Sequence, residues 1–289
     1  MNRIINKLLL FGYTGMLGRY IYTYFHKYSD ILIIPVDYRV TNESLYHLED
    51  ILKKYIIDEN TCIINCIGLI PQKGNKSESE YFLINSIFPQ LLSIICNKYN
   101  TKIIQPTTDC VFSGKRENGN YTEDDIHDEN NSYGMSKSLG EPFYGTIIRT
   151  SIIGREKYNK KSFLEWVISN SNNNNNNNNI NNNNINNEIN GWSNHYWNGI
   201  TCLEYCKVIH KIINENIFWN GVRHIFSPSS VSKYEMASMI NDIFNLDIKI
   251  NKIECKETIN KTLNSKHLNN YEIKELNQQI NDLKNFELI

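Results

Sequence analysis

The sequence predicts an α/β fold, a doubly wound parallel sheet with a smaller, discontinuous second domain. Three observations carry this. Short apolar runs of strand length alternate with longer helical patterns over residues 1–150, the runs are continuous as in strands covered on both faces, and a Gly-rich turn joins the first run to the first helical pattern.

In order, Lys7 to Phe11 reads as the first strand, a helix follows to about Tyr28, and Ile31 to Val36 is a second buried strand, which together make a β-α-β unit. The alternation continues with a helix over Glu43 to Tyr55, a strand over Thr61 to Ile67, a long helix over Glu78 to Tyr99, a strand over Lys102 to Pro106 and a helix starting near Tyr133. A strand over Tyr144 to Thr150 completes the first domain, and residues 151–289 are expected to form mainly the second. Helical periodicity returns over Thr201 to Asn214 and Lys233 to Asn245, and the end from about Glu275 reads as a terminal helix. Residues 171–190 (SNNNNNNNNINNNNINNEIN) hold almost nothing that can be buried, so a disordered surface insertion is expected there.

At 289 residues the chain can bury a substantial core. Its 30 Lys and Arg nearly cancel 31 Asp and Glu, which leaves no basic footprint for nucleic acid or an anionic membrane. The apolar run near the start is too short for a signal peptide or a membrane span. Seven Cys without a framework of spacings argue against a disulfide scaffold and for a reducing, cytoplasmic compartment. Cys62 with Cys66 and Cys202 with Cys206 sit four apart in apolar stretches with no neighbouring His pattern, so buried thiols are expected and no metal.

Gly12-Tyr-Thr-Gly15-Met-Leu-Gly18 follows the first strand and opens the first helix, the placement a dinucleotide site requires. Gly12 allows the tight turn, Gly15 lets backbone amides reach a pyrophosphate, and Gly18 permits close helix packing, with Thr14, Met16 and Leu17 in the same loop. Asp37 stands where a carboxylate would bind the adenosine ribose, whereas Arg39 could pair with a 2′-phosphate, so NADPH and NADH both remain open. Tyr133 and Lys137 share one helical face one turn apart, and a lysine ammonium so placed would lower the phenol's pKa toward neutrality. In a chain with 18 Tyr such a spacing recurs by chance, so its weight comes from the strings around it.

Those strings, GYTGMLG, NCIG, NSIFPQLL, TTDCVFSG, YGMSKSLGE and RTSIIG, resemble in order and spacing the extended short-chain dehydrogenases, specifically the dTDP-4-dehydrorhamnose reductase family. The resemblance covers residues 5–155 strongly, is weaker over 190–289, where NGITCLEYC and VRHIFSPSSVSKYE look like substrate-side segments, and fails across the Asn tract. It implies a Rossmann-type core, a nicotinamide cofactor, a nucleotide-sugar substrate and Thr108, Tyr133 and Lys137 as the catalytic set, with a homodimer left open. By the same resemblance Asn65, Cys66, Gly68 and Asn85 line the cofactor or order the active-site helix, and Glu141 completes that helix's signature.

Cys110 departs from the single-function reductases, which usually carry an aromatic residue there. It looks like the bifunctional 3,5-epimerase/4-reductases that make nucleotide-rhamnose, and like GDP-fucose synthase. A thiol, with a reference pKa of about 8.5, can move protons at carbon beside a ketone, and a small filler is the plainer reading of the same residue. The bifunctional enzymes also use a Lys shortly after the RT strand, just beyond an aromatic. Phe163 matches that aromatic, Trp166 holds the expected place, and Lys160, Lys161 and His195 are substitutes, with Lys161 preferred. The sequence therefore points to conversion of a nucleotide 4-keto-6-deoxyglucose, UDP-linked on this reading, to nucleotide-L-rhamnose. A reductase without epimerase activity is the nearest alternative. A non-catalytic dinucleotide-binding regulatory subunit, like that of methionine adenosyltransferase, is the second, against which the intact Thr-Tyr-Lys set argues.

Overall fold

A computed structural model describes residues 4–74, 76–158, 160–171, 187–267 and 271–289. Strand β1 (Lys7–Phe11) leads into helix α1 (Met16–Tyr28), and β2 (Leu32–Val36), β3 (Thr61–Asn65), β4 (Lys102–Thr108) and β5 (Thr146–Thr150) follow. With a short strand, Gly221–His224, they form one six-stranded sheet in the order Gly221–His224, β5, β4, β3, β1, β2. Every pairing in it is parallel. The sixth strand was not foreseen, because four residues with one β-branched member carry no strand pattern until β5 offers them an edge.

Successive residues of the strands feed opposite faces, so the sheet has a core on each side. Leu8, Leu10, Cys62, Ile64, Ile104 and Ile148 meet α1 and helix Cys202–Asn214 on one face. Leu9, Phe11, Ile63 and Ile103 meet Leu48, Leu52, Phe88 and Leu92 on the other. The first core runs on into the second half of the chain through Leu164, Val167, Met236, Ile240 and Ile280. Pro35 sits in the edge strand β2, where a missing N–H costs no ladder bond.

The chain after β1 crosses to β2 on one side and then returns to β3 on the other. The gap this reversal leaves beyond Phe11 and Asn65 is where ligands bind in open parallel sheets. Pairing between β3 and β4 stops at Ile64 and Ile104, so Pro106 lies past the ladder and the two strands part. The Asn65 amide bridges this parting by donating to Gln105 Oε1 at 2.8 Å.

The predicted helix over Glu43 to Tyr55 is two short helices, Asn42–Tyr46 and Leu48–Lys53. The long helix exists, as Glu78–Phe82, a π-turn Leu83–Ile87 and Phe88–Lys98. Cys62, Cys96, Cys202 and Cys206 are buried thiols, and all seven cysteines are free.

Ordered structure reaches into both ends of the segment 171–190. Residues 172–186 lie outside the described residues, but Ser171 is buried and donates to Leu246 O at 2.9 Å. Glu188–Trp192 is a strand parallel to Lys249–Ile253, with Ile189 in the core. Ile189 and Trp192 in an otherwise polar stretch give no strand alternation, and the partner strand is 61 residues away in sequence. Ile189→Ala should therefore cost about 2–5 kcal/mol, the usual range for truncating a buried aliphatic, and lower the thermal midpoint. A midpoint unchanged from the parent would show that this strand adds nothing to the fold.

Candidate active site

The Gly-rich turn meets the demands of its position. Gly12 has φ of +72°, and a side chain there would run into the backbone of Cys66 and Ile67, 2.7–2.8 Å away. A side chain at Gly18 would strike Gly12 O, so α1 starts pressed against the turn. Gly15 caps α1 without a side chain, and the first turn holds no acidic residue, so its unpaired N–H groups face an uncontested anion position. Thr14 is exposed, Met16 half-buried and Leu17 buried. Asp37 and Arg39 are both exposed just beyond β2, flanking Tyr38, whose ring stacks on Phe88. Both sequence readings of the ribose site keep their residue in place.

Across the gap, the Lys137 ammonium lies 3.0 Å from where a side chain on Gly68 would begin, and close enough to act on the Cys66 thiol, which burial pushes up. Only glycine leaves the ammonium that space. Asn85 sits in the π-turn, where one extra residue per turn aims it inward. It accepts from Leu69 N–H at 2.8 Å and donates to Leu69 O at 2.9 Å and Ser136 Oγ at 3.1 Å, tying the loop after β3 to helix Ser132–Leu139. Asn65, by contrast, is fully buried, and its side chain is taken by Gln105 and the Ile67 N–H. The Gly-rich turn and the open N-terminus of α1 fit the pyrophosphate of a dinucleotide.

The catalytic candidates converge at the ends of β4 and helix Ser132–Leu139. Thr108 Oγ1 accepts from the Cys110 N–H at 3.1 Å and donates to Asp109 Oδ1 at 3.2 Å, and the Cys110 Sγ lies 3.5 Å from the same carboxylate oxygen. Tyr133 reaches Thr108 with its hydroxyl. Gly134 lets the helix abut Cys110, whose carbonyl oxygen would be 2.6 Å from an added side chain.

Burial sets the protonation states, against two sequence expectations. It pushes the Tyr133 phenol up, with Cys110 and Asp109 adding to the effect and the bond to Thr108 opposing it, so the phenol is held protonated instead of lowered by Lys137. It pushes the Cys110 thiol up to about 12, with Asp109 adding to it and Lys261 opposing it, well above the free-thiol value the sequence reading used. Asp109 itself is raised by burial. Desolvation disfavours every charged form here, and a periodicity argument cannot see it.

Lys161 is exposed on the turn before helix Phe163–Ser169, and among the described residues no interaction joins its side chain to Cys110, Thr108 or Tyr133. Lys160 lies beside it, also exposed, with φ of +44°. His195 stacks on Trp192 with ring centres 4.5 Å apart, and its Nε2 lies 3.3 Å from Glu257 O. Two lysines that no motif marks approach instead. Lys261 pairs with Glu129 at 3.4 Å, and Lys233 sits at the start of helix Lys233–Phe244, both close enough to act on Asp109. The string SSVSKYE holds Lys233, but nothing in its spacing says that it faces β4.

Behind the site, Arg149 is fully buried and spends its guanidinium on four contacts. Nε and Nη2 donate to the two Glu141 oxygens at 3.0 and 2.6 Å, Nη1 to His224 Nε2 and Nη2 to His127 Nε2, both at 2.7 Å. Thr107 Oγ1 also donates to Glu141, at 3.0 Å. Since a guanidinium can only donate, both imidazoles accept through Nε2 and are neutral.

The model of the RmlD substrate binding domain family matches residues 6–281. The chain belongs to that family. The spore coat polysaccharide biosynthesis protein SpsK of Bacillus subtilis is 25% identical over 193 residues, 65% of this chain; the chain spans 62% of the length of that relative. The dTDP-4-dehydrorhamnose reductase of Bacillus anthracis, solved with NADP, superposes with a TM-score of 0.76 at 18% identity over 97% of this chain and 99% of its own. The UDP-rhamnose synthase of Acanthamoeba polyphaga mimivirus gives 0.73 at 19% identity over 96% and 98%. The described residues thus share the fold of these solved structures at 18% and 19% identity.

The Arg149 cluster has a stability signature. Burial and the neighbouring guanidinium pull His224 down to about 4, and His127 is lowered by the same two causes. An unfolded histidine takes up its proton near pH 6.5, so between about 6.5 and 4 the unfolded chain binds more protons and the native state loses stability as pH falls. The His224 contribution is on the order of 3 kcal/mol, fully present above about pH 6.5. Urea midpoints should therefore drop between pH 7.5 and 4.5, and less so in His224→Gln. An equal drop in that variant would count against His224 as the source.

Proposed function

We propose that this protein is a nicotinamide-dependent nucleotide-sugar 4-reductase that also epimerises C3 and C5, making nucleotide-L-rhamnose, with UDP as the nucleotide, from the 4-keto-6-deoxyglucose intermediate. The observation that carries it is the meeting of Thr108, Cys110 and Tyr133 beside the cleft that holds Lys137 and the Gly-rich turn. The likeness to dTDP-4-dehydrorhamnose reductases and a UDP-rhamnose synthase supports the sugar class.

NADPH or NADH, when bound, supplies hydride to C4. The chain's own groups handle the oxygen and the protons. Thr108 donates a hydrogen bond to O4, and Tyr133, kept protonated by burial, delivers its proton to O4 as negative charge develops there. Lys137, beside Gly68, would hold the nicotinamide ribose. Cys110, likewise held as a thiol, can protonate carbon next to the C4 ketone once an enolate has formed. A regulatory subunit would have no use for this proton relay.

Tyr133→Phe should reduce the catalytic rate by about 10²-fold or more, the usual scale for a general acid, and leave dinucleotide binding intact. Near-normal reduction in that variant would show the proton donor misassigned. For epimerisation, enzyme incubated with UDP-4-keto-6-deoxyglucose in deuterated water without reduced cofactor should place deuterium at C3 and C5. Cys110→Ser should sharply slow inversion at these carbons while still reducing a sugar epimerised beforehand. A wild-type enzyme that reduces the pre-epimerised sugar without exchange is a reductase alone.

A further inference from the structure

Inverting a carbon next to a ketone needs two groups on opposite faces of the sugar, one to take the C–H proton and one to return a proton from the other side. Cys110 can serve only one face. In a glucose-configured chair the hydrogens at C3 and C5 lie on the same face, so one base and one acid suffice for both carbons. The partner must therefore be a single group near Cys110, able to shed and regain a proton.

Four candidates can be compared. Lys161 is exposed and unconnected to the site. His195 is engaged with Trp192 and the Glu257 carbonyl. Lys261 is paired with Glu129 at 3.4 Å. Lys233 reaches the site without an ion pair or a side-chain hydrogen bond among the described residues. Its ammonium lies instead over two aromatic rings, 4.8 Å from the centre of Phe163 and 5.8 Å from that of Trp197, which removes it from water without supplying a counter-ion. It remains close enough to feel both Asp109 and Cys110.

From this placement we propose that Lys233 is the second acid–base group of the epimerisation, working with Cys110 from the opposite face of the sugar; this rests on the bifunctional reading above. The Lys233 amine takes the proton from C5 or C3, and the C–H electron pair moves into the C4 carbonyl to give the enolate. The Cys110 thiol then gives its proton to the same carbon from the other face. That leaves an ammonium and a thiolate, and a proton returning from one to the other through solvent restores both. No oxidant or reductant is consumed. Burial acts in the required sense on each partner, lowering the Lys233 ammonium toward the free amine and holding Cys110 as a thiol, with Asp109 and Cys110 opposing the shift at Lys233. His195, on the side facing Lys233, is itself lowered by burial. The location also explains why the usual place can hold Trp166: the base comes from the start of a different helix, which packs beside helix Phe163–Ser169.

The test uses the full chain and UDP-4-keto-6-deoxyglucose in deuterated water without reduced cofactor, with deuterium read at C3 and C5 by NMR. Wild type should exchange. Lys233→Gln and Lys233→Met should lose exchange by about 10²-fold or more, the scale of general acid–base catalysis, a far larger loss than in their reduction of the pre-epimerised sugar. Lys233→Arg should fail as well, because a guanidinium does not deprotonate. Added methylamine should restore part of the exchange in Lys233→Ala, which a merely structural or anion-binding lysine would not allow. If wild type exchanges and Lys233→Gln exchanges equally, Lys233 is not the base and the bifunctional reading stands. If the variants instead raise KM for the pre-epimerised sugar while bound sugar still exchanges, the lysine binds the substrate's phosphates and the proposal is overturned. If wild type does not exchange, the bifunctional reading falls and this proposal with it.

Discussion

The buried Arg149–Glu141 pair is the constraint on which the site depends. It joins β5 to the end of helix Ser132–Leu139, and through His224 it reaches the sixth strand. His127 extends it to Ser138 Oγ, 2.6 Å from its Nδ1, on the helix that carries Tyr133 and Lys137. A buried charge without its partner costs several kcal/mol, so neither member of the pair can move alone. The helix is thereby fixed in rotation and height, and with it the phenol against Thr108. The phenyl ring of Phe112 closes the cluster, 5.2 Å from the guanidinium, and stacks on Tyr121.

On the cofactor side the same helix is fixed by close approach. Gly140 sits so near the Asn85 carbonyl that no side chain could be accommodated, and Ser86 Oγ donates to Ser136 O at 2.6 Å. The π-turn makes this contact possible by pushing Asn85 and Ser86 inward from a helix whose other residues follow the regular spacing. Charge pairing on one side and backbone contact on the other leave Lys137 little freedom beside Gly68.

Within this frame the chemistry is controlled by exclusion of water. Tyr133, Cys110 and Asp109 are raised and Lys233 lowered, each with burial as the first cause. The consequence is a site in which burial favours the uncharged form of each of these groups, acids and lysine alike. Acid–base roles that look unnatural from reference pKa values thus follow from placement.

Much was legible in the sequence because the signals are local. The strands β1 to β5, the helices at 16–28 and 202–214, and the Gly-rich turn announce themselves through period and spacing within a few residues, and Thr108, Tyr133 and Lys137 ride on strings long enough to carry a resemblance. What only the tertiary structure decided involves partners far apart in the chain. Strand Gly221–His224 exists because β5 has an open edge, and Glu188–Trp192 because Lys249–Ile253 lies beside it. Lys161 follows the RT strand closely along the chain, whereas the fold sets it in solvent and brings Lys233, which no spacing singles out, over the rings of Phe163 and Trp197. Sequence by itself determines periodicity and turn chemistry, which depend on neighbours. Burial, and every protonation state that follows from it, depends on which distant surfaces the packing brings together, and no local pattern encodes that.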